Sequence, residues 1–557
     1  MTIAAVLALT ACTAGVPRDA PSGSPSAADA GRSSSAAPGP TPEPTPPTPE
    51  PPEPLVWGPL PDELASAQEL VTTWTPQQLA GGVTVARYGG TDPATPAALV
   101  RELHLAGVIL MGDNVAGADQ VVATGAAVQQ AAVDDGRDWP AVVSVDQEGG
   151  TVTRFTGDVT AFPTMMTAGA AVSAEPGAGG RVVADASRSA GRQLRALGLT
   201  WVNAPVADVT VGPSDPTIGS RSPSDDPHTA ALVVQSAVEG YRAAGIVPVA
   251  KHYPGHGSVP VDSHERLPVQ DASLAELKQR DLVPFAEAAW AGTPVVMMSH
   301  VAVEALDPGV PASLSPAAYA SLRSDAGFEG VAVTDALDMA AVTGEYGTGG
   351  AAVAALAAGA DLLLMPADVR RAHAALVAAI TDGAVPRNRA EQAAAKVVAL
   401  QRWQARASGA SALGAGSSLA DDARAASRAL SAAGLTRISG PCSGTLVDGA
   451  VEVFGAELAD REAFTEAAAQ AGLDVVPPGG GGTVVRLVGA GGGDGEADVV
   501  VALDRPYPLA TSRGGTATLA LYGRTPSAFA ALVDVLTGVS TAPGALPVAV
   551  EGAPEPC

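Results

Sequence analysis

Basic side chains are scarce in this chain: 32 Lys and Arg stand against 58 Asp and Glu, a formal net charge of -26. Phosphate binding needs a basic footprint, so the balance argues against nucleic acid as a partner. A neutral ligand such as a sugar is compatible with it, and acidity of this kind otherwise serves surface solubility. Charged residues make up only 16% and hydrophobic ones 46%, which argues against general disorder. Phosphate loops are missing too. The glycine clusters at 479–482 and 489–493 lack the required spacing and the following Lys-Ser/Thr, and read as loops. No helical His-Glu-x-x-His occurs and no histidine spacing matches a structural zinc site. No metal and no cofactor are expected.

Only three cysteines are present. Leu9-Thr10-Ala11-Cys12 ends an apolar stretch that begins at Ile3 and is too short to span a bilayer. It resembles a bacterial lipoprotein signal, in which Cys12 is lipidated and becomes the mature N-terminus. Residues 1–12 are therefore expected to be a signal peptide, and the protein to be exported and lipid-anchored in the bacterial cell envelope. Cys442 and Cys557 are candidates to pair in an oxidising compartment, at a distance the sequence does not set. Residues 17–54 are mostly Pro, Ser, Ala and Glu and cannot bury enough surface to offset their ordering entropy. Residues 13–54 thus read as a disordered, partly extended spacer holding a folded body off a membrane.

At 557 residues, two domains plus tails are expected. From Trp57 short apolar runs alternate with helical ones. Candidate strands lie at 81–88, 107–111, 140–146, 199–206, 246–253, 294–300, 330–335 and 361–365. Each is nearly continuous in apolar character, the signature of a strand buried on both faces. Helical segments such as 228–244 and 273–291 separate them, so the fold class is α/β, a (β/α)₈ TIM-type barrel over 55–410 closed by a helix near 388–409. A linker is expected at 411–435. A smaller, sandwich-like α/β domain follows over 436–557, with strands near 450–454, 483–488, 498–503 and 517–522 and a helix at 526–537.

In such barrels chemistry sits at the C-terminal ends of the strands. Asp146, Lys251-His252, Ser299-His300 and Thr334-Asp335 all end apolar runs there. The densest cluster is Lys251-His252-Tyr253-Pro254-Gly255-His256-Gly257, followed by Asp262-Ser263-His264. Pro and Gly exclude a helix, so this is a shaped loop leaving a strand. An Asp two residues from a His suits acid/base work, because the carboxylate selects the tautomer and favours the protonated ring. A loop held by its own hydrogen bonds is the bland alternative.

This segment resembles the Lys-His-Phe-Pro-Gly-His-Gly…Asp-Ser-His signature of glycoside hydrolase family 3 β-N-acetylglucosaminidases, with Tyr253 in place of Phe. Val145-Asp146-Gln147-Glu148-Gly149-Gly150 with Arg154, Phe162-Pro163-Thr164-Met165-Met166, Asn203 to Val209, Ile218 to Ser222 and Val333 to Met339 follow the same family in order. The resemblance covers about 57–405. It implies that Asp335 is the nucleophile of a retaining mechanism, which needs a second residue as acid and then base. It implies that His264 with Asp262 fills that second role, and that Asp146, Arg154, Arg221, Lys251 and His252 hydrogen-bond the terminal sugar. Asp335 also reads as a helix cap, and Asp338 as a residue inside the helix that follows. Arg154 and Arg221 also read as buried ion-pair partners, and His300 as support or contact. The C-terminal region is similar to the second domain of longer members, and a structural role is expected of it.

The implied activity is removal of terminal, non-reducing N-acetylglucosamine from peptidoglycan or chitin fragments. Phosphorolysis on the same scaffold fits the sequence equally, since a histidine base does not repel phosphate as a carboxylate would. A sugar-binding lipoprotein without turnover is the rival of another class. If the first 54 residues are only anchor and spacer, a chain beginning at Leu55 should keep full turnover of a soluble acetylglucosaminide. Loss of turnover in a folded truncation would overturn that assignment.

Overall fold

The computed structural model describes residues 53–410, 416–489 and 496–553. The signal, Cys12, the spacer up to residue 52 and Cys557 lie outside the described residues, as does most of the 489–493 glycine cluster. Cys442 is disulfide-bonded.

Eight short parallel strands appear where the apolar runs lie: β1 (Thr84–Ala86), β2 (Gly107–Leu110), β3 (Val142–Val145), β4 (Trp201–Val202), β5 (Val247–Tyr253), β6 (Val295–Met298), β7 (Val331–Thr334) and β8 (Leu363–Leu364). They pair as β8-β1-β2-β3 and as β7-β6-β5-β4. Two junctions close the ring. The Thr200 and Asn203 amides donate to the Val143 and Val145 carbonyls at 2.9 Å each, and the Thr334 amide donates to Leu362 at 3.1 Å. Every residue of these strands is buried, which is why they show no polar alternation. The pleat survives in the packing: Ile109 joins one apolar cluster while Val108 and Leu110 join another.

Three local expectations need correction. The run 81–88 begins as the end of helix Pro76–Gly82, and only Thr84–Ala86 is strand. The segment 273–291 forms two helices, Leu274–Gln279 and Val283–Trp290. Pro284 has no amide hydrogen and is tolerated only in a first turn, so the second helix starts afresh there. The stretch 411–435 was expected as linker, yet Gly416–Gly434 is helix. Its buried Leu419, Ala423, Ser427 and Leu430 recur at helical spacing, and Leu430 packs into the barrel's apolar cluster. Alanine-rich composition looks like a spacer by its low complexity, but alanine is also the best helix former.

Beyond this helix a six-stranded sheet forms in the order β9 (Thr436–Ser439), β14 (Ala517–Ala520), β13 (Val499–Ala502), β12 (Thr483–Val488), β10 (Val451–Gly455), β11 (Val475–Val476). All neighbours are parallel except β9 and β14. Helices Leu458–Gln470 and Pro526–Leu536 share its core. Barrel and sheet region belong to one compact unit, Pro52–Cys557. They meet through an apolar cluster, in which Met166 and Ala170 pack with Ile438, Val500 and Leu509, and through polar contacts: Thr164 and Thr167 hydroxyls donate to the Tyr522 carbonyl, and the Ala549 amide donates to Asp225.

At the opposite end of the barrel from the polar strand ends, Asp361 gathers three cations. Its carboxylate meets Arg323 at 2.8 Å, Arg389 at 2.7 Å and Lys396 at 3.4 Å, and accepts the Ala332 amide at 3.1 Å. Burial alone would raise this carboxyl, but Lys396, Arg323 and Arg389 together lower it. It therefore stabilises the fold above the unfolded carboxylate range, and this is lost as pH falls through the lower folded value. Asp361→Ala leaves those cations uncompensated and should destabilise the protein by about 3–5 kcal/mol. A urea unfolding midpoint that hardly moved would contradict this reading.

Candidate active site

The strand ends open on one cavity of about 530 Å³, lined among others by Asp146, Glu148, Arg154, Arg221, Lys251, His252, His264 and Asp335. The eight site residues expected from the sequence are thus brought together, apart from Asp262, which stands directly behind His264.

One wall is a network of charges. Lys251 Nζ, 3% exposed, lies 2.6 Å from Glu148 Oε1 and 3.2 Å from Asp146 Oδ1. Arg221 grips Glu148 with two parallel bonds, Nε to Oε2 at 2.8 Å and Nη2 to Oε1 at 2.9 Å. Asp146 Oδ2 faces Arg154 at 3.6 Å. Burial would push the Glu148 carboxyl up, but Arg221 and Lys251 hold it far below the usual range. Burial likewise opposes the charge on Lys251, and Glu148 and Asp146 raise it. Arg221 is thus an ion-pair partner and still a cavity residue. Two of its five N–H donors are occupied by Glu148, so others remain for a ligand hydroxyl. The sequence alone assigns Glu148 no role, although it stands two residues from Asp146 in Val145-Asp146-Gln147-Glu148-Gly149-Gly150.

The histidines hold separate partners. His252 Nδ1 lies 2.7 Å from Oδ2 of Asp208, whose other oxygen accepts the backbone amides of His252 at 3.2 Å and His256 at 2.7 Å. Burial would raise Asp208, yet His252 and His256 lower it. An ionised Asp208 makes Nδ1 the donor and leaves Nε2 of His252 for the cavity. His256 Nε2 pairs with Ser263 Oγ at 2.9 Å, tying down the residue between Asp262 and His264. His264, with a side chain 69% exposed, places Nδ1 2.8 Å from Asp262 Oδ1, which also accepts its backbone amide at 2.9 Å. Burial pushes Asp262 up, but the His264 amide and ring together lower it. With Nδ1 held by a carboxylate, Nε2 is the atom free to exchange a proton. Asp208 and His256 also went without a role in the sequence. A buried acid next to a strand end and a third histidine in one loop were the available signals.

Asp335 follows β7. Its Oδ1 accepts the Ala336 amide at 2.7 Å, while His300 Nε2 donates to the Ala336 carbonyl at 2.9 Å. His300 thus steadies the peptide beside Asp335, and burial lowers its own pKa. Burial would raise Asp335, but His252, His300, the Ala336 amide and Lys251 bring it down to about 2. Asp335 is not a helix cap, because the next helix, Ala340–Ala358, is capped from Met339. For the same reason Asp338 is not inside that helix. It lines the same cavity, 3.8 Å from Arg87, and burial raises its carboxyl. What distinguishes the two carboxylates is their surroundings, since only Asp335 is held well below its ordinary value.

Residues 74–400 match the family described as "Glycosyl hydrolase family 3 N terminal domain". "Beta-hexosaminidase A" of Pseudoalteromonas piscicida is 33% identical over 294 residues, 50% of this chain and 49% of that protein. "Beta-hexosaminidase" of Xylella fastidiosa strain M12 is 38% identical over 261 residues, 47% of this chain and 76% of that protein. The chain therefore spans about half the length of the first relative and three quarters of the second. The solved structure of a glycoside hydrolase family 3 β-N-acetylglucosaminidase from Paenibacillus sp. str. FPU-7 superposes with a TM-score of 0.76. It is 29% identical and covers 86% of this chain and 99% of its own.

The electrostatics of the two neighbouring carboxylates can be measured directly. Carboxyl-carbon NMR on aspartate-labelled protein, assigned with Asp335→Asn and Asp338→Asn, should show Asp335 titrating near 2 and Asp338 above its ordinary value of 3.8. The reverse order would remove Asp335 as the permanently ionised group.

Proposed function

The chain belongs to glycosyl hydrolase family 3, in its β-N-acetylhexosaminidase group, and from that premise we propose a retaining exo-β-N-acetylglucosaminidase. Its substrates are glycosides with a terminal, non-reducing N-acetylglucosamine, such as peptidoglycan or chitin fragments. The observation that carries this reading is that an ionised carboxylate, Asp335, and an imidazole backed by a carboxylate, His264 with Asp262, line one cavity. In the first step Asp335 attacks the anomeric carbon while His264 Nε2–H protonates the departing oxygen. In the second, neutral His264 takes a proton from water as the water oxygen bonds to the anomeric carbon and the bond from that carbon to Asp335 breaks. Asp262 stabilises the imidazolium and keeps Nδ1 as the inner donor. Asp146, Arg154, Arg221, Lys251 and His252 hold the sugar hydroxyls, with acceptors and donors side by side as hydroxyls require.

Phosphate in place of water is the second reading. Its support is the set of cations Lys251, Arg221 and Arg154 around a cavity whose base is a histidine. We also keep the export and lipid anchor at Cys12 as a proposal. Among the described residues no helix is long and apolar enough to cross a membrane.

Product analysis on a nitrophenyl acetylglucosaminide and on muropeptide fragments, with and without phosphate, tests both readings. Free N-acetylglucosamine in phosphate marks a hydrolase and the 1-phosphate a phosphorylase, while no turnover refutes both. The two catalytic groups separate by step. Asp335→Asn should lower turnover by orders of magnitude on every acetylglucosaminide. His264→Ala should lose about 10²–10⁴-fold with a sugar leaving group but much less in the pre-steady-state release of nitrophenol, which needs little protonation. Equal nitrophenol release by both variants would exclude separate roles.

A further inference from the structure

The loop between β4 and helix Pro227–Ala244 brings Thr217, Ile218 and Arg221 to the cavity. It is wound around Asp215, whose fully buried carboxylate accepts the amides of Thr217 at 3.1 Å, Ile218 at 2.8 Å and Gly219 at 3.0 Å, and the Thr210 hydroxyl at 2.9 Å. The short 3₁₀ turn Gly219–Arg221 then aims Arg221 at Glu148. The back of this loop is covered by the segment after β13, in the C-terminal region. Arg505 Nη1 donates to the Asp215 carbonyl at 3.2 Å. Its carbon chain crosses Gly219 so closely that a Cβ there would stand 3.3 Å from Arg505 Cδ, and Gly219 has φ +52°. The Tyr507 ring lies against Gly212 in the same way, with its hydroxyl 3.8 Å from where a Cβ would be.

We infer that Arg505 is a positioning residue through which the C-terminal region sets the affinity of the barrel cavity for the sugar. It touches no substrate, and acts by holding the loop that presents Arg221. Without its donor and its carbon chain, the Asp215 carbonyl loses its partner and the Gly219–Arg221 turn loses its backing. The Arg221 guanidinium then spends less time in the two-pronged geometry that leaves its remaining donors facing the cavity. The Asp335 and His264 elements do not pass through this loop, so binding should suffer and chemistry much less.

The inference rests on the glycosidase reading, and wild-type turnover in the same assay tests that reading separately. Arg505→Ala and Arg505→Met are compared on nitrophenyl acetylglucosaminide, with Tm recorded for each. Methionine keeps the carbon chain over Gly219 and removes the donor, so it guards against a folding defect in the alanine variant. Both should raise KM about tenfold with kcat changed less than about threefold, the mark of lost binding common to ground and transition states. Arg505→Lys should recover much of the loss. Thr167→Val, which removes a contact to Tyr522 elsewhere on the same seam, should leave KM unchanged. An unaltered KM in folded Arg505→Met, or an equal rise in Thr167→Val, overturns the proposal. Should the wild type turn over no acetylglucosaminide, calorimetric binding of N-acetylglucosamine to the same variants decides the matter by the same criteria.

Discussion

Glu148 is the group on which the cavity depends. It is 6% exposed and takes Arg221 on both oxygens and Lys251 on one. The two cations repel each other, and Arg221 on its own would lower the pKa of the Lys251 ammonium. One shared anion turns that repulsion into attraction, offset by the several kcal/mol that each buried ion loses in hydration. The net stabilisation is therefore modest, but the positions are held. Lys251 comes from β5, Arg221 from the loop before helix Pro227–Ala244, and Glu148 from the hairpin after β3. Three separate pieces of the barrel rim are thereby locked around one point, with Asp146 and Arg154 extending the set toward the opening.

The histidine loop shows the same economy of means. A single buried carboxylate, Asp208, orients the His252 ring and accepts the His256 amide. His256 reaches forward to Ser263 and so anchors a loop whose tip carries the Asp262–His264 pair. The anchor is buried and the tip is exposed. That division suits the proton-donor role proposed for His264, because an exposed ring can adjust to an entering ligand while its base stays fixed.

The sheet region acts on the barrel from behind. Its contacts fall on the segments 161–170 and 212–226, on polar groups and backbone carbonyls and on the apolar Met166 and Ala170, which pack with Ile438, Val500 and Leu509. Helix Gly416–Gly434 adds an apolar seam, with Leu430 packed into the barrel's cluster and Arg428 paired to Asp534. Among the described residues, none of the sheet region enters the charge network or the Asp262–His264 pair, yet Arg505 and Tyr507 back the loop that bears Arg221.

Much of this was legible in the residues. The eight apolar runs mark the eight barrel strands because a strand buried on both faces must be apolar throughout, and Asp146, Lys251-His252 and Asp335, which end three of those runs, line the cavity. The pairing of Asp262 with His264 is local, two residues apart, so spacing alone suffices to expect it. Strand ends such as those of 81–88 were less visible, because Gly81 and Gly82 belong as readily to a helix end. The helix at Gly416–Gly434 was hidden by a composition that spacers and helices share. The roles of Glu148, Asp208 and His256 were decided only by the tertiary structure. Their partners lie 73, 44 and 7 residues away, and an acid's charge or a ring's tautomer depends on what burial removes and which neighbour replaces water. The sequence by itself determined which groups can do the chemistry; the fold decided which of them are held charged, which are held still and which are left free, because those properties belong to distances between residues remote in the chain.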